Sequence, residues 1–473
     1  MPTGLFPAND VRAHCCDRLR FDMGLEDLLL QHPFPEEQLV LFSETDSMTV
    51  AQARRRVAEI ATKLEIESGQ AVAVQLPNGP ELLCTMVAIW TRRAVYVPLN
   101  ERLPEPEVES ILSDTGAAAF IGSDGIRALN GATVYPEDVA FIIWTSGTTG
   151  APKAILHTHT AYLELLDRVL GPLRGKGERS GPPTPNLIPV SMALNAGLYN
   201  CLFGLRAGAP VVMMDRFTPD VFAELVARFQ IRSTVLPPAA MVMLADSDVA
   251  SLAPLKYVRS ITAPLSPLNA RRFTERFGCF VLNSYGQAEM GEVIGWTAAD
   301  AKEHPEKVGA AGRPLPGVAL RIDADGHLLV RPPNAAVGID DRRDDDGFID
   351  TGDIASVDED GFVWIDGRVS DLINRGGNKV FPDSVEEVLR LHSSVIDAAV
   401  VGVPDDRLGE VPVAFILGDK VTEEILVEHC RVHLVAYKIP VAFRSIDELP
   451  RSEVGKILRR ELIDRWLNEQ IES

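Results

Sequence analysis

The sequence predicts an α/β protein: a large N-terminal domain of parallel-sheet α/β units, then a β-rich region and a small α+β C-terminal domain. Three observations carry this. Short apolar runs alternate with stretches of helical periodicity through the first part of the chain. From about residue 316 the pattern changes to short strands joined by Asp-Gly turns. Past "GRVSD" (367–371) a compact block of roughly a hundred residues mixes both patterns, a usual domain size.

Taken in order, "MTVAQARRRVAEIATKLEI" (48–66) has apolar residues at helical spacing and leads to "AVAVQLP" (71–77), a short strand. A helix through "ELLCTMVAIWTRR" (81–93) and a strand "AVYVPL" (94–99) follow, which argues for crossover units. The alternation recurs as strand 209–214, helix 219–230, strand 233–238, helix 268–278 and strand 279–286. "GPLRGKGERSGPPTPN" (171–186) reads as a surface loop. "VALRIDADGHLLVRPP" and "GFIDTGDIASVDEDGFVWIDGR" supply the Asp-Gly strands. In the last block, "PDSVEEVLRLH" is expected to open on Asp383 as N-cap, with Glu386 at capping-box spacing. Strands at 397–403 and 411–417, a helix near 422–434, a strand near 441–446 and a helical tail from about 456 complete it.

The composition is that of an ordinary soluble protein, with 46% hydrophobic and 24% charged residues. A net charge of −21 opposes binding to nucleic acid or anionic membranes, so a polyphosphate site must be locally basic. The start lacks an apolar signal core, and no apolar run is long enough to span a bilayer. Six cysteines (15, 16, 84, 201, 279 and 430) include no CxxC pair and read as reduced thiols, so a cytoplasmic location is expected.

"IIWTSGTTGAPKAILHTH" (142–159) sets hydroxyls and glycines behind an apolar run. Gly147 and Gly150 let the backbone turn tightly, Thr145, Ser146, Thr148 and Thr149 offer hydroxyls, and Lys153 adds a compact charge. Such loops surround phosphate, although a plain Gly/Ser/Thr surface turn reads the same way. The loop is not a Walker A motif, because Pro152 and Ala154 stand where that motif needs Gly and Ser/Thr.

It resembles instead the signature loop of the adenylate-forming superfamily, which contains acyl- and aryl-CoA synthetases and stand-alone acid-adenylating enzymes. Four further stretches follow in that family's order: "NSYGQAEM" (283–290), "DTGD" (350–353), "GRVSDLINRGGNKVFPDSVEE" (367–387) and "PRSEVGKILRREL" (450–462). The resemblance implies an adenylation domain over residues 1–368, including a distorted β-barrel region, and a mobile lid domain over 369–473. It implies ATP, Mg²⁺ and CoA as co-substrates and cofactor. It makes Lys456 the catalytic cation and Glu289 the catalytic and metal-binding carboxylate. Thr145 to Gly150 with Lys153 hold phosphate, and Ser284, Tyr285, Gly286 and Gln287 hold the nucleotide, Tyr285 by stacking on adenine. Asp353 takes the ribose hydroxyls and Arg368 adds a donor. Ser370 is the hinge, and Gly376 with Gly377 let pantetheine pass.

Two departures stand out. Ala288 replaces the family's phosphate-touching Thr, which removes one bond to a charged oxygen, roughly 1.5–3 kcal/mol. Ser370 replaces the usual hinge Asp or Lys. The acid pocket is expected from Asn195, Leu198, Met241, Ala263 and Pro264, with Met192, Leu194 and Met243 nearby. No Asp is present there to pair with an ammonium, so α-amino acids are disfavoured. Asn195 suits either a ring hydroxyl or a backbone cap. No G-x-S-x-G elbow is present, and His157 and His159 are placed in a helix after the loop.

The expected activity is AMP-forming ligation of a bulky hydrophobic or aromatic acid to CoA. A stand-alone adenylating enzyme serving a separate carrier or acceptor protein, and a non-catalytic nucleotide-binding regulator, stay open. So does a homodimer.

Overall fold

A computed structural model describes residues 23–145, 153–173, 183–337, 342–418, 421–451 and 457–472. The first layer is a six-stranded sheet in the order Gly125–Ala128, Ala119–Gly122, Ala71–Val74, Val95–Pro98, Val139–Thr145, Lys153–Thr158. Its inner pairs are parallel and its two outermost pairs antiparallel. Successive residues go to opposite faces: Val72, Val74, Tyr96 and Phe141 enter one apolar cluster, while Ala71, Ala73, Val95, Val97 and Ile142 enter another. A parallel sheet covered on both sides needs such unbroken apolar strands.

Helices cover it as the apolar spacing predicts. Val50–Lys63 buries Val50, Ala53, Val57 and Ile60. It starts on a reciprocal cap, in which Gln52 N donates to Thr49 Oγ1 (3.2 Å) and Thr49 N donates to Gln52 Oε1 (2.8 Å). Two further sheets follow, Ser47–Thr49, Leu39–Phe42, Val211–Met213, Asn186–Ile188, and the parallel trio Ser233–Leu236, Tyr257–Ser260, Phe280–Leu282.

The β-rich part has a three-stranded antiparallel sheet (Ser284–Gln287, Gly291–Gly295, Arg313–Pro314) and a four-stranded one (Ala319–Ile322, His327–Arg331, Ile349–Val357, Val363–Arg368). A bridge between Gly312 and Val363 joins them, and the described strands close no barrel.

The smaller C-terminal part is a sheet of Asn378–Val380, Ile373–Arg375, Gly409–Gly418 and Val395–Asp405, with Ala442–Ser445 parallel to Gly409–Gly418. Its faces are also both covered, Val400 and Ala414 on one side, Val401 and Val413 on the other. Two expectations are corrected here. Pro382 occupies the first turn of Pro382–Arg390, so Phe381 is the N-cap, and Asp383 and Glu386 instead bind Arg459. His157 lies in the strand Lys153–Thr158, and His159 is the first residue of the helix His159–Leu173.

Candidate active site

Tyr285, Gln287 and Glu289 come from the hairpin that pairs Ser284–Gln287 with Gly291–Gly295. Gly286 lets that hairpin close, because a Cβ there would stand 2.0 Å from the Gly291 carbonyl oxygen. Asp353 lies on the strand Ile349–Val357, directly opposite Arg368. Two motifs more than sixty residues apart therefore meet side by side.

The Asp353 carboxylate is 3% exposed and heavily ligated. It accepts the Tyr285 hydroxyl, Gln287 Nε2 (3.2 Å) and Arg368 Nε (3.0 Å). A buried carboxylate needs this many donors. Burial first, and the Asp353 carboxylate next, push the Tyr285 phenol well above its ordinary pKa, so it remains a donor. Gln287 Nε2 also donates to the Thr351 carbonyl (2.7 Å), which ties the hairpin to the Asp353 strand.

Glu289 is held by a residue the sequence did not single out. Arg342 Nη1 donates to Glu289 Oε1 (2.7 Å), and its Nη2 donates to Gln287 Oε1 (2.9 Å) and the Asp350 carbonyl (2.7 Å). In the run "DDRRDDDG" nothing separates this arginine from a solvated charge. Thr262, beside the expected pocket residue Ala263, has a φ of +73°, strained for a β-branched residue, and its buried hydroxyl has no partner among the described residues.

These features coincide with those of a known family. The family described as AMP-binding enzyme matches residues 31–133 and 125–338, and its C-terminal domain matches 384–456. The chain belongs to the AMP-binding enzymes. A 2-succinylbenzoate–CoA ligase from Bacillus cereus is 30% identical over 469 residues, covering 90% of this chain and 94% of that relative. ATP-bound MatB from Rhodopseudomonas palustris has the same fold, with TM-score 0.82, 23% identity, and coverage of 94% of this chain and 99% of that one. An o-succinylbenzoate CoA synthetase from Bacillus subtilis, in complex with its acyl-adenylate, gives TM-score 0.81 at 24% identity, covering 92% and 97%.

In this AMP-binding enzyme the two residues that flank the expected phosphate loop are paired. Thr145 ends one strand and pairs with Lys153, which begins the next. Ser146, Gly147, Thr148, Thr149 and Gly150 lie outside the described residues, as does Lys456. The flanks of the lysine segment are tied down. Arg451 binds Asp397, and Arg459 binds Asp371 (3.3 Å), Asp383 (2.6 Å) and Glu386. Ser370 Oγ donates to Asp371 Oδ1 (2.9 Å), so the expected hinge touches the same network.

Gly376 and Gly377, at φ of +58° and +89°, form the two-residue turn between Ile373–Arg375 and Asn378–Val380. Asn195 does not cap the backbone, since its Oδ1 accepts the Tyr162 hydroxyl (2.7 Å). Leu198 and Met241 are fully buried in two different apolar clusters, Ala263 is half-buried and Pro264 is exposed. Ser284 Oγ donates to the Ser260 carbonyl (2.7 Å), which fixes the hairpin on the parallel trio.

The donor set fits a nucleotide with its metal. Asp353 is a buried carboxylate that already accepts one hydroxyl, and Glu289 is a second carboxylate linked to it through Gln287 and Arg342. Mg²⁺ binds through one or two carboxylates plus phosphate oxygens, which this arrangement allows.

Proposed function

We propose that this chain is an AMP-forming ligase that joins an aromatic carboxylic acid to CoA through an acyl-adenylate. The observation that carries it is the continuous network Arg368–Asp353–Tyr285/Gln287–Arg342–Glu289, which links the carboxylate read here as the ribose acceptor to the one read as the metal ligand. The B. cereus relative's name supports an aromatic acid and CoA.

On this reading Asp353 and Arg368 orient the ribose, and the Tyr285 ring lies against the adenine. Mg²⁺, when bound, neutralises phosphate charge and is held by Glu289. The acid's carboxylate oxygen attacks the α-phosphorus, and pyrophosphate leaves. Two anions meet in this step, so a cation must stand between them, and Lys456 has that role. The CoA thiol, losing its proton, then attacks the acyl carbon, and AMP leaves with the former carboxylate oxygen. Gly376 and Gly377 leave room for pantetheine, and Ser370 is the pivot between the domains 1–368 and 369–473. The acceptor is CoA rather than a carrier protein, and the enzyme works in the cytoplasm. No described helix is long and apolar enough to cross a membrane.

Acid-dependent ATP–pyrophosphate exchange tests the first half-reaction, with 2-succinylbenzoate as the first acid. Thioester formation on adding CoA tests the second. ATP binding with no exchange for any acid would reject the ligase and favour a non-catalytic nucleotide-binding regulator.

A further inference from the structure

One buried titratable side chain beside Glu289 takes no part in the steps above. His157, on the strand Lys153–Thr158, is 6% exposed, and its Nε2 is buried with no partner among the described residues. An unmatched buried nitrogen costs free energy until something hydrogen-bonds to it. The ring itself is clamped. Phe141 stacks on it with centroids 4.7 Å apart, and the Tyr162 ring meets it edge-on at 5.3 Å. The Tyr162 hydroxyl is spoken for, since it donates to Asn195 Oδ1 (2.7 Å). Burial lowers the imidazole's pKa to about 4, so the ring is uncharged around neutrality and keeps one nitrogen lone pair.

The backbone brings His157 to Glu289. Val337 N donates to the Leu156 carbonyl (3.0 Å), and Ala336 N donates to the Glu289 carbonyl (2.6 Å). Two adjacent residues thus tie the strand of His157 to the hairpin turn that carries Glu289. His157, Tyr162, Leu165, Glu289 and Met290 line a narrow cleft there. Its free space is about 10 Å³, room for one water and too little for an acid or a nucleotide. Of the side chains that line it, only His157 has a buried polar atom without a partner among the described residues.

Mg²⁺ held through one or two carboxylates keeps several waters of its own, whose hydrogens need acceptors. Groups one layer outside the ligands fix the ligands' orientation and tighten the hold on the ion. We infer that His157 is a positioning residue for the metal: its Nε2 accepts a hydrogen bond from a water of the Mg²⁺ ion held at Glu289. This rests on the ligase reading and on Glu289 as its metal ligand. His157 neither touches the ion nor exchanges a proton.

The test is equilibrium binding to the full chain of metal-free ATP, in EDTA, and of Mn·ATP, with Mn²⁺ standing in for Mg²⁺. Wild type is expected to prefer the metal complex. His157→Phe, which keeps the ring stack, is expected to lower affinity for Mn·ATP about tenfold and to leave metal-free ATP within about threefold. His157→Gln, whose carbonyl oxygen can accept in place of Nε2, is expected to recover most of that loss. A His157→Phe variant that binds Mn·ATP as wild type does would overturn the inference, as would equal losses with and without metal. A His157→Gln variant as weak as His157→Phe would also overturn it, because packing would then explain the effect. A Glu289→Gln variant that keeps the wild-type preference for Mn·ATP would reject Glu289 as the metal ligand, and the role of His157 with it. Acid-dependent exchange by wild type reports on the ligase separately, so failure of that reading stays distinct from failure at His157.

Discussion

Asp353→Asn is the sharpest single perturbation of the nucleotide site. The side chain keeps its shape and loses its charge. In the folded protein this carboxylate is 3% exposed and accepts from Tyr285, Gln287 and Arg368, so it is held still before any ribose arrives. A hydrogen bond to a charged acceptor contributes about 1.5–3 kcal/mol and a neutral one about 0.5–1.5. Two ribose hydroxyls therefore lose about 1 kcal/mol each, and about 2 kcal/mol in total corresponds to roughly 30-fold weaker ATP binding. The assay is equilibrium binding of ATP and of 2′,3′-dideoxy-ATP to wild type and variant. Wild type should prefer ATP strongly, and the variant should lose most of that preference, because the analogue has no hydroxyls to offer. Arg368 is 40% exposed on its side chain, so losing its partner should destabilise the fold by only about 1 kcal/mol. If the variant weakens ATP and its dideoxy analogue equally, Asp353 is a structural carboxylate and the ribose assignment is wrong.

Arg342→Ala removes the cation beside Glu289, and with side chains only 28% and 15% exposed the pair should be worth about 1–3 kcal/mol of stability. Thermal unfolding should show a lowered midpoint that recovers in part with Mg·ATP, and an equal deficit with and without Mg·ATP would argue that the two cations never share Glu289. Lys456→Ala should slow acid-dependent exchange by about 10²–10³ while sparing thioester formation from a supplied acyl-adenylate. Equal loss of both half-reactions would count against the lysine's assigned step. Burial holds His32, His157 and His159 neutral, each with its pKa lowered to about 4. Their unfolded value is about 6.5, so the unfolded chain takes up the protons as pH falls from 6.5 toward 4, and stability drops in that window. Each should contribute about 1–2 kcal/mol of loss by pH 5. Urea unfolding at pH 7 and pH 5 checks this, and His157→Phe, which keeps the stack on Phe141, should remove one share.

The sequence exposed what depends on local periodicity and motif order. The crossover units from Val50 to Pro98 have their expected types, because covering a parallel sheet on both faces forces near-continuous apolar strands. Motif order along the chain is enough to group Tyr285, Gln287, Asp353 and Arg368, and the structure joins them by hydrogen bonds and an ion pair. What stayed hidden depends on long-range pairing. Arg342 gains meaning only when its segment folds beside Glu289. The strain at Thr262 is invisible for another reason, because its positive φ is imposed by tertiary structure against the residue's own preference. The Asp383 capping box failed because a proline one residue earlier already fixed the helix start, and the two carboxylates were needed by Arg459.

Attack of the acid's carboxylate on the α-phosphorus can be followed by isotope. With 2-succinylbenzoate uniformly labelled with ¹⁸O in its carboxyl groups, one turnover through to the CoA thioester should leave one ¹⁸O in AMP and none in pyrophosphate. Label appearing in inorganic phosphate alongside ADP, or AMP formed without label, would contradict the account.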